Sequence, residues 1–345
     1  MMISVKLDYS SVTLCVKQIV RMILAHDRQP GYRLPPQQAL RRILGASNDT
    51  LSAAMARLVE MGVITRKPLV GTVVADPNAT EGINWSVGLT AFIREGPSAF
   101  YSDLHYRLLI ALAHANCRAT TYFRAENYHI PSRFSDFPGL AEDAANQHLD
   151  GVLTMTSMHS AVCRQIEGEG IPIVRVGSTI TPHLYGVVID AVAFEREAAE
   201  SLVQHGCVRC ALATTLGVQT PVNETHSSPF YEVIRQQAGI EGGRRTANYL
   251  LELPRDRRPD GLAITDDYAA MGLTRVLADN REYRPCIAVM ACRQLPLEFS
   301  MPVIRLDLDS DELVAKAVAL LKARITGRSV KQRIQTVAPQ LLQMV

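Results

Sequence analysis

Residues 30–76 read PGYRLPPQQALRRILGASNDTLSAAMARLVEMGVITRKPLVGTVVAD and decide the fold of the first part of the chain. Leu34 precedes Pro35, a position that disfavours helical backbone, so an extended segment is predicted here. A short helix is predicted to follow and to run to Leu44, where Gly45 supplies a left-handed cap.

A second helix is predicted directly after Gly45. Ser47 is a favourable N-cap residue, and apolar residues recur at helical spacing until Gly62. The predicted buried face consists of Leu51, Ala54, Met55, Leu58 and Val59. A similar apolar stripe predicts an earlier helix over 11–27 that packs against these two.

A β-ribbon is predicted to complete the unit. Residues 63–65 and 72–74 read as short strands around a turn at 67–71. Helix, tight turn, helix and ribbon in this order predict a winged helix-turn-helix, a fold whose second helix fits a DNA major groove. The charge distribution favours the same interpretation, because residues 1–75 hold ten Lys and Arg against four Asp and Glu while the whole chain carries only +2.

The same residues resemble the DNA-binding domain of GntR-type bacterial regulators. The matching positions are Gly31, Leu34, Pro35, Leu40, Leu44, Gly45, Ser47, Thr50, Ala54, Leu58, Gly62, Gly71, Thr72 and Val74. The resemblance implies that residues 1–75 form a DNA-binding domain. The sequence departs from the family in lacking its usual arginines near positions 48 and 52 and at Gln38, and Asp49 repels phosphates. We therefore expect an unusual operator and weak binding.

Candidate DNA-contacting residues come from the extended arm, both motif helices and the ribbon. They are Arg33, Gln37, Gln38, Arg41, Arg42, Ser47, Asn48, Asp49, Thr50, Ser52, Arg57, Arg66 and Lys67. Asn48 has the donor and acceptor pair that binds adenine, and Thr50 and Ser52 suit bases or phosphates. For Arg41, Arg42 and Arg57, an ordinary surface role is an equally good interpretation.

The rest of the chain has the texture of parallel α/β structure. A polar segment at 76–84 reads as a linker, and apolar strands alternate with helices across 85–345. Strands this apolar predict parallel sheets covered on both faces. Within this part we predict a helix over 229–238.

The order of these elements resembles the effector domain of LacI/GalR regulators, which has the periplasmic-binding-protein-like (Rossmann-like) fold. The matching stretches are DGVL at 150–153, IPIV at 171–174, VID at 188–190 and DGLAITDD at 260–267. The resemblance implies two lobes, a small ligand between them and a dimer. A GntR-type head on such a body resembles arabinose-repressor-type architecture.

Candidate effector-binding residues follow predicted strands, because open α/β sheets bind ligands at the carboxyl ends of their strands. They are Phe92, Arg94, Ser98, Tyr101, Thr156, Ser157, Asp190, Asp266 and Arg293. His226 joins them because the LacI/GalR resemblance implies a cation within 223–228. Carboxylates and aromatic rings suit a sugar, and Arg293 favours a sugar acid or a sugar phosphate if it faces the cleft. Phe92 as a core residue and Arg293 as a surface residue are the alternatives. We expect Asp267 to cap the helix that follows it.

Other classes of protein find little support. The chain has no P-loop, GxSxG elbow or HExxH motif, so an enzyme is disfavoured, and no cofactor or metal site is predicted. Cys207 and Cys210 form a lone CxxC, which we interpret as a turn followed by the first buried residue of a strand. No apolar run has membrane-spanning length, and we expect a cytoplasmic protein. The two leading hypotheses are a ligand-responsive transcriptional regulator that acts as a repressor, and a ligand sensor that has lost DNA binding.

Overall fold

The computed structural model describes residues 11–93, 99–125, 133, 136–156, 158–178, 180–181, 183–215, 229–295 and 297–341. Arg94, Ser98, Ser157 and His226, all expected to contact the effector, lie outside the described residues.

The first unit is a winged helix-turn-helix, as predicted. Its elements are α1 (Ser11–Ala25), α2 (Gln37–Leu44), α3 (Asn48–Glu60), β1 (Ile64–Lys67) and β2 (Gly71–Val74). The two strands pair antiparallel, with Thr65 opposite Val73. We call this unit the head.

The predicted linker at 76–84 is ordered. It contains a short 3₁₀ helix over Pro77–Gly82, which begins where Asp76 accepts a hydrogen bond from the backbone of Asn78 at 2.8 Å. Thr80 of this turn is buried, and the 3₁₀ helix contacts α1. The segment is therefore a short structured connection.

The first lobe, here the N-lobe, is a parallel six-stranded sheet. Its elements are β3 (Trp85–Ile93), α4 (Ala99–His114), β4 (Cys117–Ala125), α5 (Leu140–Ala145), β5 (Gly151–Thr154), α6 (Ser160–Gly168), β6 (Ile173–Gly177) and β7 (Tyr185–Ile189). The late helix α10 (Ser310–Ile325) packs on this sheet, and β13 (Ile334–Val337) adds to its edge. The strand order is β13-β7-β6-β5-β3-β4.

The second lobe, the C-lobe, repeats this design. Its elements are α7 (Ala191–Gln204), β8 (Cys210–Thr215), β9 (Glu232–Gln236), α8 (Gly239–Glu252), β10 (Gly261–Ile264), α9 (Asp267–Ala278), β11 (Cys286–Cys292), β12 (Ile304–Leu308) and β14 (Gln340–Leu341). The strand order is β14-β12-β11-β10-β8-β9, and β14 is antiparallel to its neighbour.

Three crossings join the lobes, and all lie at the carboxyl ends of the strands. The chain passes from β7 to α7 at Asp190, from β12 to α10 at Asp309, and from β13 to β14 at 338–339. The carboxyl ends of both sheets therefore meet at the crossings. We call the space bounded by these ends the interlobe cleft.

One prediction about secondary structure was wrong. Residues 229–238, predicted as a helix, contain the edge strand β9, and the helix begins later, at Gly239. The cause is close packing at the start of α8. A Cβ on Gly243 would lie 1.8 Å from the backbone oxygen of Ala269 in α9, and a Cβ on Gly242 would lie 1.8 Å from that of Gln237, just before α8. Glycine is a poor helix former, so the residues that allow this contact also obscure the helix in the sequence.

The head and the N-lobe share one hydrophobic core. Ile19, Ile23 and Leu58 of the head belong to the same buried cluster as Trp85 and Leu321 of the body. None of the helices in the described ranges is long and apolar enough to span a membrane.

The CxxC motif has the predicted structure. Cys207 lies before β8, and Cys210 is its first residue; both are buried and neither forms a disulfide. The pKa of the Cys207 thiol is raised to about 12, chiefly by burial. The thiol is therefore a poor nucleophile.

Candidate functional site: the DNA-facing head and the interlobe cleft

The outer face of α3 is free to approach DNA. Its opposite face is buried through Leu51, Ala54, Met55 and Leu58. Val59, predicted to lie on that buried face, is instead 39% exposed. Over residues 48–56 the exposed positions are Asn48, Asp49, Ser52, Ala53 and Ala56. These side chains are short, so the helix backbone can come close to base edges in a groove.

Several predicted DNA contacts also organise the helix-turn-helix. The Ser47 hydroxyl accepts a hydrogen bond from the Thr50 amide at 3.1 Å and donates to the Thr50 hydroxyl at 2.9 Å, which caps α3. Arg41 donates to Asn48 at 3.1 Å, and this bond fixes the amide from α2.

Two more polar contacts place side chains around α3. Gln37 donates to the Ser52 hydroxyl at 3.0 Å, so α2 and α3 share a second polar contact. Arg57 donates to Thr13 of α1 at 3.1 Å, which turns one of its nitrogens toward the first helix. Gln38 and Arg42 are exposed on α2.

The ribbon carries the remaining cations. Arg33 makes a β-bridge with Val73, and its guanidinium lies against Gly71, where a Cβ would stand 3.3 Å from Nε. Arg66 and Lys67 are exposed on β1. Arg33, Arg66 and Lys67 therefore place three cations around the turn between β1 and β2.

On the N-lobe side of the cleft, two of the predicted effector residues lie at the carboxyl edge of the sheet. Tyr101, in the first turn of α4, forms a 2.9 Å hydrogen bond with Ser178 after β6. Thr156, just past β5, is buried and its amide donates to the Thr154 hydroxyl at 3.2 Å. Phe92 lies in β3, near its carboxyl end.

The crossing at Asp190 begins a helix. The Asp190 carboxylate caps α7 by accepting from the amide of Ala193 at 2.9 Å. It lies at the carboxyl end of β7, as predicted.

Arg293 lies at the crossings. Its guanidinium forms a 2.8 Å ion pair with Asp309 and a 3.3 Å hydrogen bond with Gln340. Burial alone would raise the pKa of Asp309, but the hydrogen bond from Gln294, the α10 backbone amides and the charge of Arg293 hold it below its usual value. Arg293 thus joins two of the three crossings.

On the C-lobe side, the prediction about the cap of α9 was wrong by one residue. Asp266, rather than Asp267, caps the helix by accepting from the amide of Ala269 at 2.8 Å. Asp266 also accepts from the amide of Gly239 at 3.3 Å, at the start of α8. Two helix ends therefore use the carboxylate that was expected to bind the effector.

Asp267 is buried beside this cap. Burial first, and the neighbouring Asp266 carboxylate second, raise the pKa of Asp267 to about 7. Its carboxylate accepts a hydrogen bond from the Tyr268 amide at 2.9 Å. Asp267 therefore stays protonated to a higher pH than an ordinary aspartate does.

Sequence reasoning missed Arg175. Arg175 lies in β6, near the carboxyl edge of the N-lobe sheet, and is 3% exposed. Burying a charged residue inside a strand is energetically costly. The sequence signal was available, since Arg175 interrupts the apolar run IPIVRVG. Within the described ranges, no group of His, Cys, Asp and Glu is arranged to hold a metal ion.

Comparison with known families identifies the head. Residues 15–74 match the family of bacterial regulatory proteins named gntR. No curated protein matches the sequence of the chain.

Comparison with solved structures identifies the fold of the body. The Cra transcriptional dual regulator of Pseudomonas putida, solved in complex with fructose 1-phosphate, matches with a TM-score of 0.58 and 17% identity over 75% of this chain and 98% of that one. A LacI-family regulatory protein from Chloroflexus aggregans matches with a TM-score of 0.58 and 18% identity, covering 74% and 96% of the two chains. A LacI-family regulator from Bifidobacterium animalis subsp. lactis gives 0.59 and 15%, covering 75% and 96%. The chain thus joins a gntR-family winged helix-turn-helix domain to a two-lobed body with the fold of LacI-family regulators.

Proposed function

We propose that the chain is a cytoplasmic, ligand-responsive transcriptional regulator, and specifically a repressor, which binds operator DNA through its head and a sugar-derived molecule in its interlobe cleft. The observation that carries this proposal is the direct union of a DNA-binding head with a two-lobed sensor fold. The solved relative with fructose 1-phosphate adds support for a carbohydrate-like effector.

The proposed DNA contacts come from one surface of the head. Asn48 and Ser52 face bases, and Arg33, Arg42, Arg66 and Lys67 bind phosphates. The pair between Arg41 and Asn48 fixes the amide before DNA arrives, which lowers the entropic cost of binding.

The proposed regulator is a homodimer, because two heads related by a two-fold axis read two half-sites about 34 Å apart or at a multiple of that spacing. Exposed apolar side chains on α4 and the edge strand β4 support this proposal. Tyr106, Ile110 and Phe123 are 63%, 39% and 44% exposed, a cluster typical of a protein interface. Sedimentation of the intact chain tests it, and a monomer at micromolar concentration would contradict it.

The cleft provides the route for regulation. The three crossings are the only connections between the lobes within the described residues, so a ligand that contacts both lobes changes the angle between them. Because the head packs on the N-lobe, this movement changes the distance between two heads in a dimer.

The test pairs gel retardation with thermal shift. We expect the protein to retard its own upstream DNA at low salt and to gain thermal stability with a sugar, a sugar acid or a sugar phosphate. If ligand stabilises the protein but no DNA is retarded, the second hypothesis, a sensor without DNA binding, is correct. Asp49 on α3 and the absence of arginine at 48 and 52 are what favour that alternative.

A further inference from the structure

A row of polar side chains crosses the N-lobe sheet near its carboxyl edge. Thr90 of β3, Thr154 of β5 and Arg175 of β6 are direct neighbours in the strand register. All three are buried, and the Thr90 hydroxyl donates to the Thr154 hydroxyl at 2.8 Å. Two hydroxyls and one guanidinium thus form a polar floor on the N-lobe side of the interlobe cleft.

The arginine of this row is held at the edge of the sheet. Its Nη1 donates to the carbonyl of Thr154 at 3.0 Å and to that of Val176 at 2.8 Å. Thr154 is the last residue of β5 and Val176 is the penultimate residue of β6, so the guanidinium lies where these strands end. Open α/β sheets bind ligands at this edge.

Gly177 keeps the space beside the guanidinium free of a side chain. A Cβ at this position would stand 3.6 Å from both Nη atoms of Arg175 and 3.7 Å from the ring of Tyr101. Its φ of +136° is also one that other residues rarely adopt. The Tyr101 hydroxyl, bonded to Ser178, lies at the same edge.

The charge of Arg175 is the feature to explain. Desolvation lowers the pKa of this guanidinium, although an arginine remains protonated in any protein. Charged hydrogen bonds are stronger in such a low-dielectric setting, and a guanidinium binds phosphate or carboxylate with two parallel bonds.

The geometry points to an acidic effector whose phosphate or carboxylate is bound by Arg175, with the hydroxyls of Tyr101 and Ser178 beside it. This inference rests on the proposed function, because it assigns chemistry to the same cleft. It replaces the role expected of Arg293, whose charge is directed to Asp309 and Gln340.

Matched pairs of ligands test the inference in the wild-type protein. Titration calorimetry would compare hexoses with their 1-phosphates, 6-phosphates and hexonic acids, including fructose and fructose 1-phosphate. We expect one acidic member to bind roughly 10- to 100-fold more tightly than its neutral parent, the ratio that a charged hydrogen bond provides.

Variants then assign the effect to the residue. Arg175→Gln should remove the preference for the acid, Arg175→Lys should restore part of it, and Arg164→Gln, on the exposed surface of α6, should leave it unchanged. If Arg175→Gln fails to fold, Tyr101→Phe should still lower the ratio. A neutral sugar that binds as tightly as its acids, a preference that persists in Arg175→Gln, or a panel in which no acid binds would overturn the inference. Ligand-sensitive retardation of DNA by a neutral sugar would leave the proposed function intact.

The tip of the ribbon carries a second, independent inference. The amide of Val70 donates to the carbonyl of Lys67 at 3.2 Å, which closes a turn with Pro68 and Leu69 at its centre. The third position of such a turn has a positive φ and is typically glycine after proline. Leu69 occupies it with a φ of +62°, a conformation that leucine disfavours by roughly 5- to 30-fold.

Leu69 gains no packing in return. Its side chain is fully exposed, and Val70 beside it is 44% exposed. Arg66 and Lys67 adjoin the turn, and Arg33 lies against Gly71 at its base. Strained residues of this kind are concentrated at functional sites.

We infer that Leu69 is an apolar wedge that enters the DNA minor groove while the surrounding cations bind the flanking phosphates. Apolar side chains at such positions unstack base steps and bend the duplex. The occupant of this tip is DNA because the apolar group is surrounded by positive charge.

Leu69→Gly tests the wedge, because it relieves the backbone while removing the side chain. We expect its melting temperature to equal or exceed that of the wild type and its affinity for selected DNA to fall at least fivefold. Val208→Gly, which removes an apolar side chain that is 87% exposed on the body, is the matched control and should bind DNA as the wild type does. DNA affinity and DNA bending that are unchanged in Leu69→Gly would overturn the inference.

Discussion

Arg21, on the first helix of the head, donates from its Nε to the carbonyl oxygen of Ile325, the last residue of α10, at 3.1 Å. The other end of α10 is the crossing at Asp309, which Arg293 and Gln294 bind from the C-lobe. The helix has 16 residues and therefore spans about 24 Å. One rigid element thus extends from the crossings between the lobes to the DNA-binding head.

A buried carboxylate reinforces this junction. Asp150, at the start of β5, forms ion pairs with Lys17 and Arg21 of the head and accepts from the Ser86 amide at 2.8 Å. Arg21 also lies over the ring of Trp85, 5.4 Å from its centre.

We predict that Asp150→Ala separates the head from the body. Removing one partner leaves Lys17 and Arg21 without their carboxylate, and such losses cost about 3 kcal/mol. Calorimetry should show an earlier transition for the head, and proteolysis should cut faster within 76–84. Asp256→Ala, on an exposed turn of the C-lobe, is the control. Unchanged unfolding of Asp150→Ala would show that the junction does not hold the head.

Two variants of the head should affect DNA binding differently. Asn48→Ala should relax base preference at one position by about 1–3 kcal/mol, because an amide that pairs with a base edge is lost. Arg42→Ala should weaken binding to all sequences alike and reduce the salt slope by about 1. Competition binding over a library of sequences, repeated at several salt concentrations, separates the two effects. If Asn48→Ala prefers the same sequences as the wild type, α3 lies in the groove in another register.

Asp267 should make stability depend on pH. Its pKa is about 7 in the folded protein against 3.8 for an ordinary aspartate. Its contribution to the free energy of unfolding is therefore fully present below pH 4 and is lost as the pH rises through 7. Asp267→Asn keeps the acceptor for the Tyr268 amide and removes the charge. We predict that this variant matches the wild type at pH 4 and is more stable by a few kcal/mol, in order of magnitude, at pH 8. Chemical denaturation at both pH values measures this, and an equal difference at the two would contradict the assignment.

The packing of α8 against α9 yields a prediction about two glycines. Gly243→Ala should destabilise the C-lobe by several times the roughly 1 kcal/mol that alanine normally adds to a helix, because its Cβ would overlap the backbone of Ala269. Gly168→Ala, at the end of α6, meets no atom within 4 Å and should be neutral or slightly stabilising. Thermal unfolding measures the melting temperatures of the two variants. Equal values would show that α8 and α9 can move apart.

Features that depend on neighbouring residues in the chain could be predicted from the sequence. The caps at Ser47 and Gly45 and the apolar stripe of α3 sufficed for the head, and Asp190 and Asp266 were placed correctly at strand ends. Roles that arise from distant contacts could not be read in this way. Arg293 meets Gln340 across 47 residues, and Lys17 meets Asp150 across 133. The helix α8 was not predicted because its glycines, which have low helix propensity, are required for close packing.

The central claim is that one solute, bound between the lobes, changes the affinity of the head for DNA. Its most direct test is fluorescence anisotropy of the intact chain on DNA selected from a random library, with and without the member of the sugar, sugar acid and sugar phosphate panel that most raises thermal stability. We predict a change in DNA affinity of about 5- to 150-fold, with DNA changing the affinity for that ligand by the same factor. Selection that enriches no sequence, or a DNA affinity that saturating ligand leaves unaltered, would contradict the account.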